Sequence, residues 1–494
     1  MTILSVDAGT TGVTALVVNQ YGEIVSRGYS EFPQHFPQEG WVEHEPEEIW
    51  AATLVAMKTA LDTLPADCDP PTAVGITNQR ETIVLWDRHS LASPRRAIVW
   101  QDRRTAGICD QLRADGHEPR VAELTGLRLD PYFSATKLSW LWLNESTIWA
   151  DVISGKTAVG TVDSYLIARM SSGAAHVTDA SNASRTLLYD IHRGSWSQEL
   201  CDLFKVPVDC LPKVVPSYGV VARTDPDACA GLDLPIAGIA GDQQSALFGQ
   251  ACFELGSSKC TYGTGSFVLV NTGSQAVESS TGLLTTVAWQ EPDGTLTYAL
   301  EGAVFVTGAA IQWLRDGLGI IESAADTESL ARSVTDSGGV VFVPALTGLG
   351  APDWDPHARG TILGLTRGTT RAHIVRATLE AITYEVADVV ALMIKEGDVT
   401  LPALKVDGGA AANDFLCQTQ ATTLGVPVIR ARALETTGLG AAFLAGLGTG
   451  FWPDRASIAE LVQGAARFEP GQRDERAHQR WRAAVERAKG WAVL

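Results

Sequence analysis

"VDAGTTGVTALVV", Val6 to Val18, reads as a strand ending in an aspartate, a Gly-Thr-Thr-Gly turn and a second β-branched strand. Glycine-rich turns let backbone N–H groups approach an anion closely, so this is a candidate phosphate loop. In P-loop and dinucleotide-binding folds a helix follows such a turn. Here Thr14, Leu16, Val17 and Val18 are strand formers, and "NQYGEIVSRG" (19–28) predicts a turn into a third strand. The loop therefore belongs to a β-hairpin. Taken alone it reads better as an ordinary hairpin with a glycine turn, so the rest of the chain must decide.

The grammar of that stretch returns at "KCTYGTGSFVLVNTG" (259–273), again strand, Thr/Gly turn, strand. Between the two, "TAVGITNQRETIVLWD" (72–87) reads as two strands around a polar turn, and "PIAGIAGDQQSALFGQA" (235–251) as a buried strand ending in Gly-Asp before a helix. Apolar residues at helical spacing predict helices over 46–64, 134–146, 373–394 and 436–452. "ALKVDGGAAANDFLCQTQATTLG" (403–425) predicts a strand, an Asp-Gly-Gly turn and a helix beginning near residue 410. The two halves meet near residues 245–255, and two strand-turn-strand loops, one per half, predict a duplicated domain facing itself across a cleft.

Composition limits what such a chain does. Its 494 residues are enough for two or three domains, and 45% hydrophobic residues are enough for real cores. Acidic residues outnumber basic ones 57 to 38, a formal charge of −19, which disfavours nucleic acid and anionic membrane surfaces. No apolar run approaches the length of a membrane span, and the N-terminus shows no basic-then-apolar leader. The eight cysteines are scattered without a CxxC pair, the pattern of reduced thiols in a cytoplasmic protein. The nine histidines show no HxxH or HExxH spacing, and His176 reads as a packing residue rather than a ligand. "ADVISGKT" (150–157) satisfies a loose phosphate-loop pattern, yet it precedes a strand instead of following one.

Four turns of one kind in one chain outweigh each alone: Asp7 with Gly9 to Gly12, Gly241-Asp242, Thr264-Gly265 and Asp407-Gly408-Gly409. Two hairpins can straddle a triphosphate, a strand-end aspartate can serve Mg²⁺ or a proton, and a helix start can take the nucleotide. This order resembles the actin and sugar-kinase ATPases, which implies an α/β fold of two RNase-H-like domains facing each other across a nucleotide cleft.

The segments "GWVEHEPEEIW" (40–50), "GITNQRET" (75–82), "AIVWQDRRTA" (97–106), "DPYFSATKLSW" (130–140), "GIAGDQQSALFGQ" (238–250), "TYGTGSF" (261–267), "EGAVFVTGAAIQWLRD" (301–316), "FVPALTGLGAPDWDP" (342–356) and "VDGGAAAN" (406–413) narrow this further. In order and over nearly the whole chain, they resemble the glycerol kinases of the FGGY family of carbohydrate kinases. The resemblance implies a first domain over 1–250 with the glycerol site, and a second over 251–494 with the adenosine site. It implies ATP-dependent phosphorylation of glycerol, with ATP and Mg²⁺, and a homodimer or homotetramer. A xylulose-type FGGY kinase is the alternative; a chaperone or filament ATPase would lack "TNQRET" and "GDQQ".

The residue roles follow from the same resemblance. Asp242 is the base candidate, against its ordinary reading as a helix N-cap. Arg80 and Glu81 offer a donor fork beside an acceptor, suited to adjacent hydroxyls; the plain alternative is a surface ion pair. Tyr132, Asp242 and Gln243 are implied on the triol, with Trp100 and Phe267 walling its carbon side. Asp7, Thr10, Thr11, Gly12, Thr14, Thr264, Gly265, Gly308, Gln312, Gly409 and Asn413 are implied on ATP, and Asp7 with Asp242 on Mg²⁺. The chain departs from the family at Ala8 and at Gly12-Val13-Thr14, where glycerol kinases commonly carry Gln and Ser-Ser-Arg, so one cationic phosphate contact is missing. Some of these kinases are regulated by fructose 1,6-bisphosphate or by a phosphorylated histidine, in the region that is here "VVPSYGVVARTDPDACAGLDLPIAG" (214–238). That region holds no histidine, and its one basic residue, Arg223, stands among Asp225, Asp227 and Asp233.

Overall fold

Strand Thr2–Ala8 (β1) is buried along almost its whole length because both of its faces are covered. Alternate residues point to opposite sides. Leu4, Val6 and Ala8 pack with Ile49, Ala52 and Ala56 of helix Pro46–Asp62 (α1), whereas Ile3 packs with a core that includes Leu439, Ala442 and Phe443. The computed structural model describes residues 1–462 and 464–493.

β1 pairs antiparallel with Gly12–Asn19 (β2), which pairs antiparallel with Ile24–Glu31 (β3). On its other edge β1 runs parallel to Pro71–Asn78 (β4). The strand Tyr218–Arg223 (β5) closes that edge antiparallel to Pro235–Gly241 (β6), itself parallel to β4. The first sheet therefore runs β3-β2-β1-β4-β6-β5. Helix Asp242–Gly249 (α2) leaves the end of β6.

The second half repeats this plan. Ser258–Tyr262 (β7) and Ser266–Gly273 (β8) form the second hairpin. Leu284–Gln290 (β9) pairs antiparallel with Leu296–Val304 (β10), which lies antiparallel to β8. Leu404–Asp407 (β11) runs parallel to β7, Val428–Ala431 (β12) parallel to β11, and Gly464–Phe468 (β13) antiparallel to β12. The order is β9-β10-β8-β7-β11-β12-β13. With β9 set aside, its strands match β3-β2-β1-β4-β6-β5 in position and direction. The predicted duplication is thus present in topology as well as in turn chemistry, and the α/β class with two RNase-H-like domains stands.

Between the sheets lie α2 and helix Thr436–Thr449 (α6), which share one core with Leu16, Ala237, Leu269 and Trp289. α6 comes from the second half but packs on the first sheet. Its approach is at backbone contact: a methyl at Gly75 would sit 2.0 Å from the Ala441 carbonyl oxygen, and one at Gly238 2.4 Å from the Ala445 nitrogen. The outer face of the second sheet is covered by the long helix Arg371–Gly397 (α4), through Leu379, Val386 and Val390.

"ADVISGKT" forms the end of helix Ser146–Ile153, a turn and strand Thr157–Gly160, the reverse of a phosphate-loop order. Lys156 is exposed and paired with Asp151 at 2.8 Å. His176 packs edge-on against Trp86 and bonds the Val159 carbonyl, a packing role.

Candidate active site

The first hairpin turns tightly, Gly9 N donating to the Gly12 carbonyl at 3.0 Å. The register sets Asp7 opposite Thr14, and Thr14 opposite Tyr29, so all three share one sheet face. Thr14 is buried beside Asp7, whereas Thr11 is exposed at the tip. Trp100 Nε1 donates to Thr10 Oγ1 at 3.0 Å, which ties the phosphate-type turn to the aromatic wall.

The second hairpin turns through Gly263 N to the Gly265 carbonyl at 2.8 Å. Its tip rests on the start of helix Gly308–Gln312 (α3). Thr307 N and Ala309 N donate to the Thr264 carbonyl, and Gly308 N to that of Gly263. Any side chain at Gly265 would lie 2.3 Å from the Val304 carbonyl oxygen, so only glycine allows the contact. Gln312, one turn beyond Gly308, is exposed.

After β11 the chain passes Gly408, at φ +85°, into a 3₁₀ turn over Gly409–Ala412. Helix Asp414–Leu424 (α5) begins only after it, not near residue 410, because Asn413 is the N-cap. Its Oδ1 accepts from Leu416 N and its Nδ2 donates to Thr327 Oγ1, both at 3.0 Å. Cap and bridge hold both ends of the Asn413 amide. Gly409 is exposed, with open space where a side chain would be.

On the other side of the cleft, β4 ends at Asn78 and the turn carries Gln79, Arg80 and Glu81, the last at φ 61°. Arg80 and Glu81 are 2% and 1% exposed, so they are no surface pair. Asp242 is not the N-cap of α2; Gly241 is, and Asp242 is the first helical residue. Gly241 also makes room for the Arg80 stem, since a methyl there would lie 2.7 Å from its Cγ and Cδ. Arg80 Nε then reaches Asp242 Oδ1 at 3.1 Å, and Asp242 Oδ1 accepts from Gln243 N at 2.7 Å. The Asp242 side chain stays 30% exposed toward the cleft.

Tyr132 Oη lies 3.4 Å from Arg80 Nη2, and its ring meets Trp100 edge-to-face at 5.5 Å. Gln243 Oε1 accepts from the buried Lys259 Nζ of β7, which also donates to Thr261 Oγ1 at 2.9 Å. Phe267, half-buried, stands opposite Ala303 on β10. It shares a sheet face with Glu301, and Glu301 contacts Arg80.

Sequence reading missed part of this cluster. Glu301 and Arg185 are completely buried and complete a network with Arg80 and Glu81. Glu81 Oε1 accepts from Arg185 Nε at 2.7 Å, which fixes its carboxylate beside Arg80. A glutamate inside the apolar run "TYALEGAVFV" (297–306) was the available signal, because a charge there needs a partner.

Asp7 is pushed up to about 8, by burial first and then by the carboxylates of Asp242 and Glu435. Among the described residues no three His, Cys, Asp or Glu side chains gather around one point. Burial and the Asp242 charge both disfavour the Asp7 anion, a setting a cation relieves, and Mg²⁺ keeps waters and takes phosphate oxygens beside one or two carboxylates.

Comparison with known proteins agrees with this architecture. The profile of the FGGY family of carbohydrate kinases, N-terminal domain, matches residues 2–249, and that of its C-terminal domain matches 258–449. The chain belongs to the FGGY family of carbohydrate kinases. Within it, the chain is 51% identical to glycerol kinase 2 of Thermotoga maritima and 53% identical to glycerol kinase of Aromatoleum aromaticum, in each case over 99% of both chains. Among solved structures, Plasmodium falciparum glycerol kinase with ADP superposes with a TM-score of 0.92 at 33% identity, covering 99% of this chain and 98% of that one. A xylulose kinase of Lactobacillus acidophilus, at 22% identity and a TM-score of 0.87, shares the fold.

Proposed function

We propose that the protein is a glycerol kinase, transferring the terminal phosphoryl group of ATP to glycerol and forming sn-glycerol 3-phosphate and ADP. The observation that carries this reading is the compact set Arg80, Asp242, Tyr132 and Trp100 against two phosphate-type hairpins. It occurs in a chain half identical, end to end, to named glycerol kinases.

Glycerol offers only hydroxyls and a three-carbon edge. Arg80, Glu81 and Gln243 supply hydrogen-bonding groups, with Glu81 held in place by Arg185, and Trp100, Tyr132 and Phe267 close the carbon side. Aromatic walls leave little space for a larger sugar, and buried polar groups penalise a ligand lacking a hydroxyl. Asp242 accepts the proton of the attacking hydroxyl as the bond to phosphorus forms; such base assistance contributes about 10²–10⁴-fold. Thr10, Thr11 and Gly12 on one hairpin and Thr264 and Gly265 on the other hold the phosphates from both sides. Gly308, Gln312, Gly409 and Asn413 border the adenosine side, and Asn413 also fixes the start of α5. Mg²⁺, held by Asp7 and Asp242 with the phosphates, would offset charge on the moving phosphoryl group.

In this reading residues 1–250 carry the triol side and the first hairpin, and 251–494 the second hairpin and the adenosine side. Among the described residues no helix is long and apolar enough to cross a membrane. The free state of all eight cysteines supports a cytoplasmic enzyme, and family likeness a homodimer or homotetramer. The test is ADP release, coupled to NADH oxidation, with glycerol, xylulose and gluconate in parallel. Turnover confined to glycerol is expected; preference for either of the others would overturn the reading.

A further inference from the structure

Glu301 lies on β10, in the second domain, on the face that looks toward the first. It has no solvent exposure, and its strand neighbours across the sheet are Leu269 and Leu284. A carboxylate there is costly unless it is paired. It is paired three times: with Arg80 Nη1 at 2.5 Å, Arg80 Nη2 at 3.2 Å and Arg185 Nη2 at 2.8 Å.

The first two contacts form a fork on one guanidinium, which fixes its plane as well as its place. Once the Nη1–Nη2 edge of Arg80 is held, the direction of its Nε–H follows. That nitrogen lies 3.1 Å from Asp242 Oδ1, an ion pair, while Nη2 also reaches toward Tyr132. Among the described residues the other bond at this end of Arg80 goes to the Gln244 amide oxygen, at a long 3.3 Å from Nη1. Glu81, its neighbour in sequence, is 3.7 Å from Nε and gives its shorter bond to Arg185.

We propose that Glu301 is a positioning residue for phosphoryl transfer, supplied by the second domain, that aims Arg80 at the triol and at Asp242. The inference rests on the glycerol kinase reading and deepens it. Charge bookkeeping within the network agrees. Arg80 and Arg185 are balanced by Glu81 and Glu301, so Asp242 need not serve as the sole counter-ion of Arg80 and stays available to the substrate. Burial alone would raise the Glu301 carboxyl, yet Arg185 and Arg80 bring it down to about 2, so it is an anion throughout the working range. A structural ion pair would have been served by Arg185 alone; the fork on Arg80 would then be superfluous.

The test is steady-state kinetics of the full-length wild-type protein, Glu301→Gln and Glu301→Asp with ATP and glycerol, well below each variant's unfolding temperature. Glu301→Gln keeps the shape and removes the charge that holds the fork. Glu301→Asp keeps the charge but draws it back by one methylene, and it stands in should the glutamine variant fail to fold. The expected result is a KM for glycerol raised about 10- to 100-fold, the consequence of losing a charge-assisted contact that orients the binding group. The KM for ATP should stay within about threefold, because the Glu301 carboxylate bonds Arg80 and Arg185 and neither hairpin turn. A purely structural role would lower the unfolding temperature and leave both KM values alone, and that result would overturn the inference. A wild-type enzyme inactive on glycerol would instead overturn the proposed function, and this inference with it.

Discussion

Replacing Asp242 by asparagine isolates proton acceptance from binding. In the structure Asp242 Oδ1 lies 3.1 Å from Arg80 Nε as an ion pair and accepts from Gln243 N at 2.7 Å. An asparagine amide oxygen can take both, so the start of α2 and the local backbone should be kept. Arg80 should hold its place as well, since two contacts from Glu301 anchor its far edge. What disappears is a basic oxygen 30% exposed to the cleft and one negative charge beside Arg80. If Asp242 is the base, kcat should fall by about 10²–10⁴-fold, or about 2.7–5.5 kcal/mol of barrier. The KM for glycerol should move only a few-fold, because the amide keeps the hydrogen-bonding outline. The coupled ADP assay, with a thermal melt of each protein, measures all three quantities. A variant within about tenfold of wild-type kcat would refute the assignment. So would a loss of kcat matched by a collapse of the melting temperature, which would make Asp242 a structural residue.

Further outcomes follow from burial, charge and close contact. Arg223 already bonds Asp233 through both Nε and Nη2, and 214–238 offers no second cation, so millimolar fructose 1,6-bisphosphate should leave the steady-state rate unchanged. The same region lacks a histidine, so a histidine phosphocarrier with its phosphate donor should not activate the enzyme; activation or inhibition in either assay would place a regulatory site elsewhere. His44, without solvent exposure, is lowered to about 4 by burial and by His35. Because its folded value lies below the ordinary 6.5, its contribution to stability is complete above that pH and is lost as the pH falls toward about 4. Urea unfolding should show His44→Gln losing less stability on acidification than wild type, by about 1.4 kcal/mol per pH unit in that window; parallel losses would refute it. Gly75→Ala drives a methyl to 2.0 Å from the Ala441 carbonyl and must push α6 off β4, costing about 3 kcal/mol or more. An unchanged melting temperature would show that α6 does not sit where described.

Much of the fold was legible in the chain because the signals were local. The strand-turn-strand hairpins, the Gly-Asp strand end and the helices over 46–64 and 373–394 each rest on residues within a few positions of one another. β-branched runs, glycine turns and 3.6-residue spacing carry that information directly. The repetition of the hairpin grammar at 6–18 and 259–273 announced the duplication, which the two sheets then display in the same strand order. The start of α5 was misjudged by a few residues, since a glycine-alanine run reads as helix until Asn413 caps it.

By itself the sequence determined the hairpins, the internal repeat, and which short motifs carry polar groups able to serve a triol and a triphosphate. Tertiary structure alone decided how those groups are held. Arg80 and Glu301 are 221 positions apart, and Arg185 and Glu81 are 104 apart; no periodicity or turn rule links them. α6, read correctly as a helix, turned out to cover the sheet of the other half, at glycines too far away in sequence to show it. Local pattern encodes the backbone's preferences, which depend on neighbours along the chain. Pairing of buried charges depends on which faces meet across the cleft, and only the packing of the two sheets around α2 and α6 settles that.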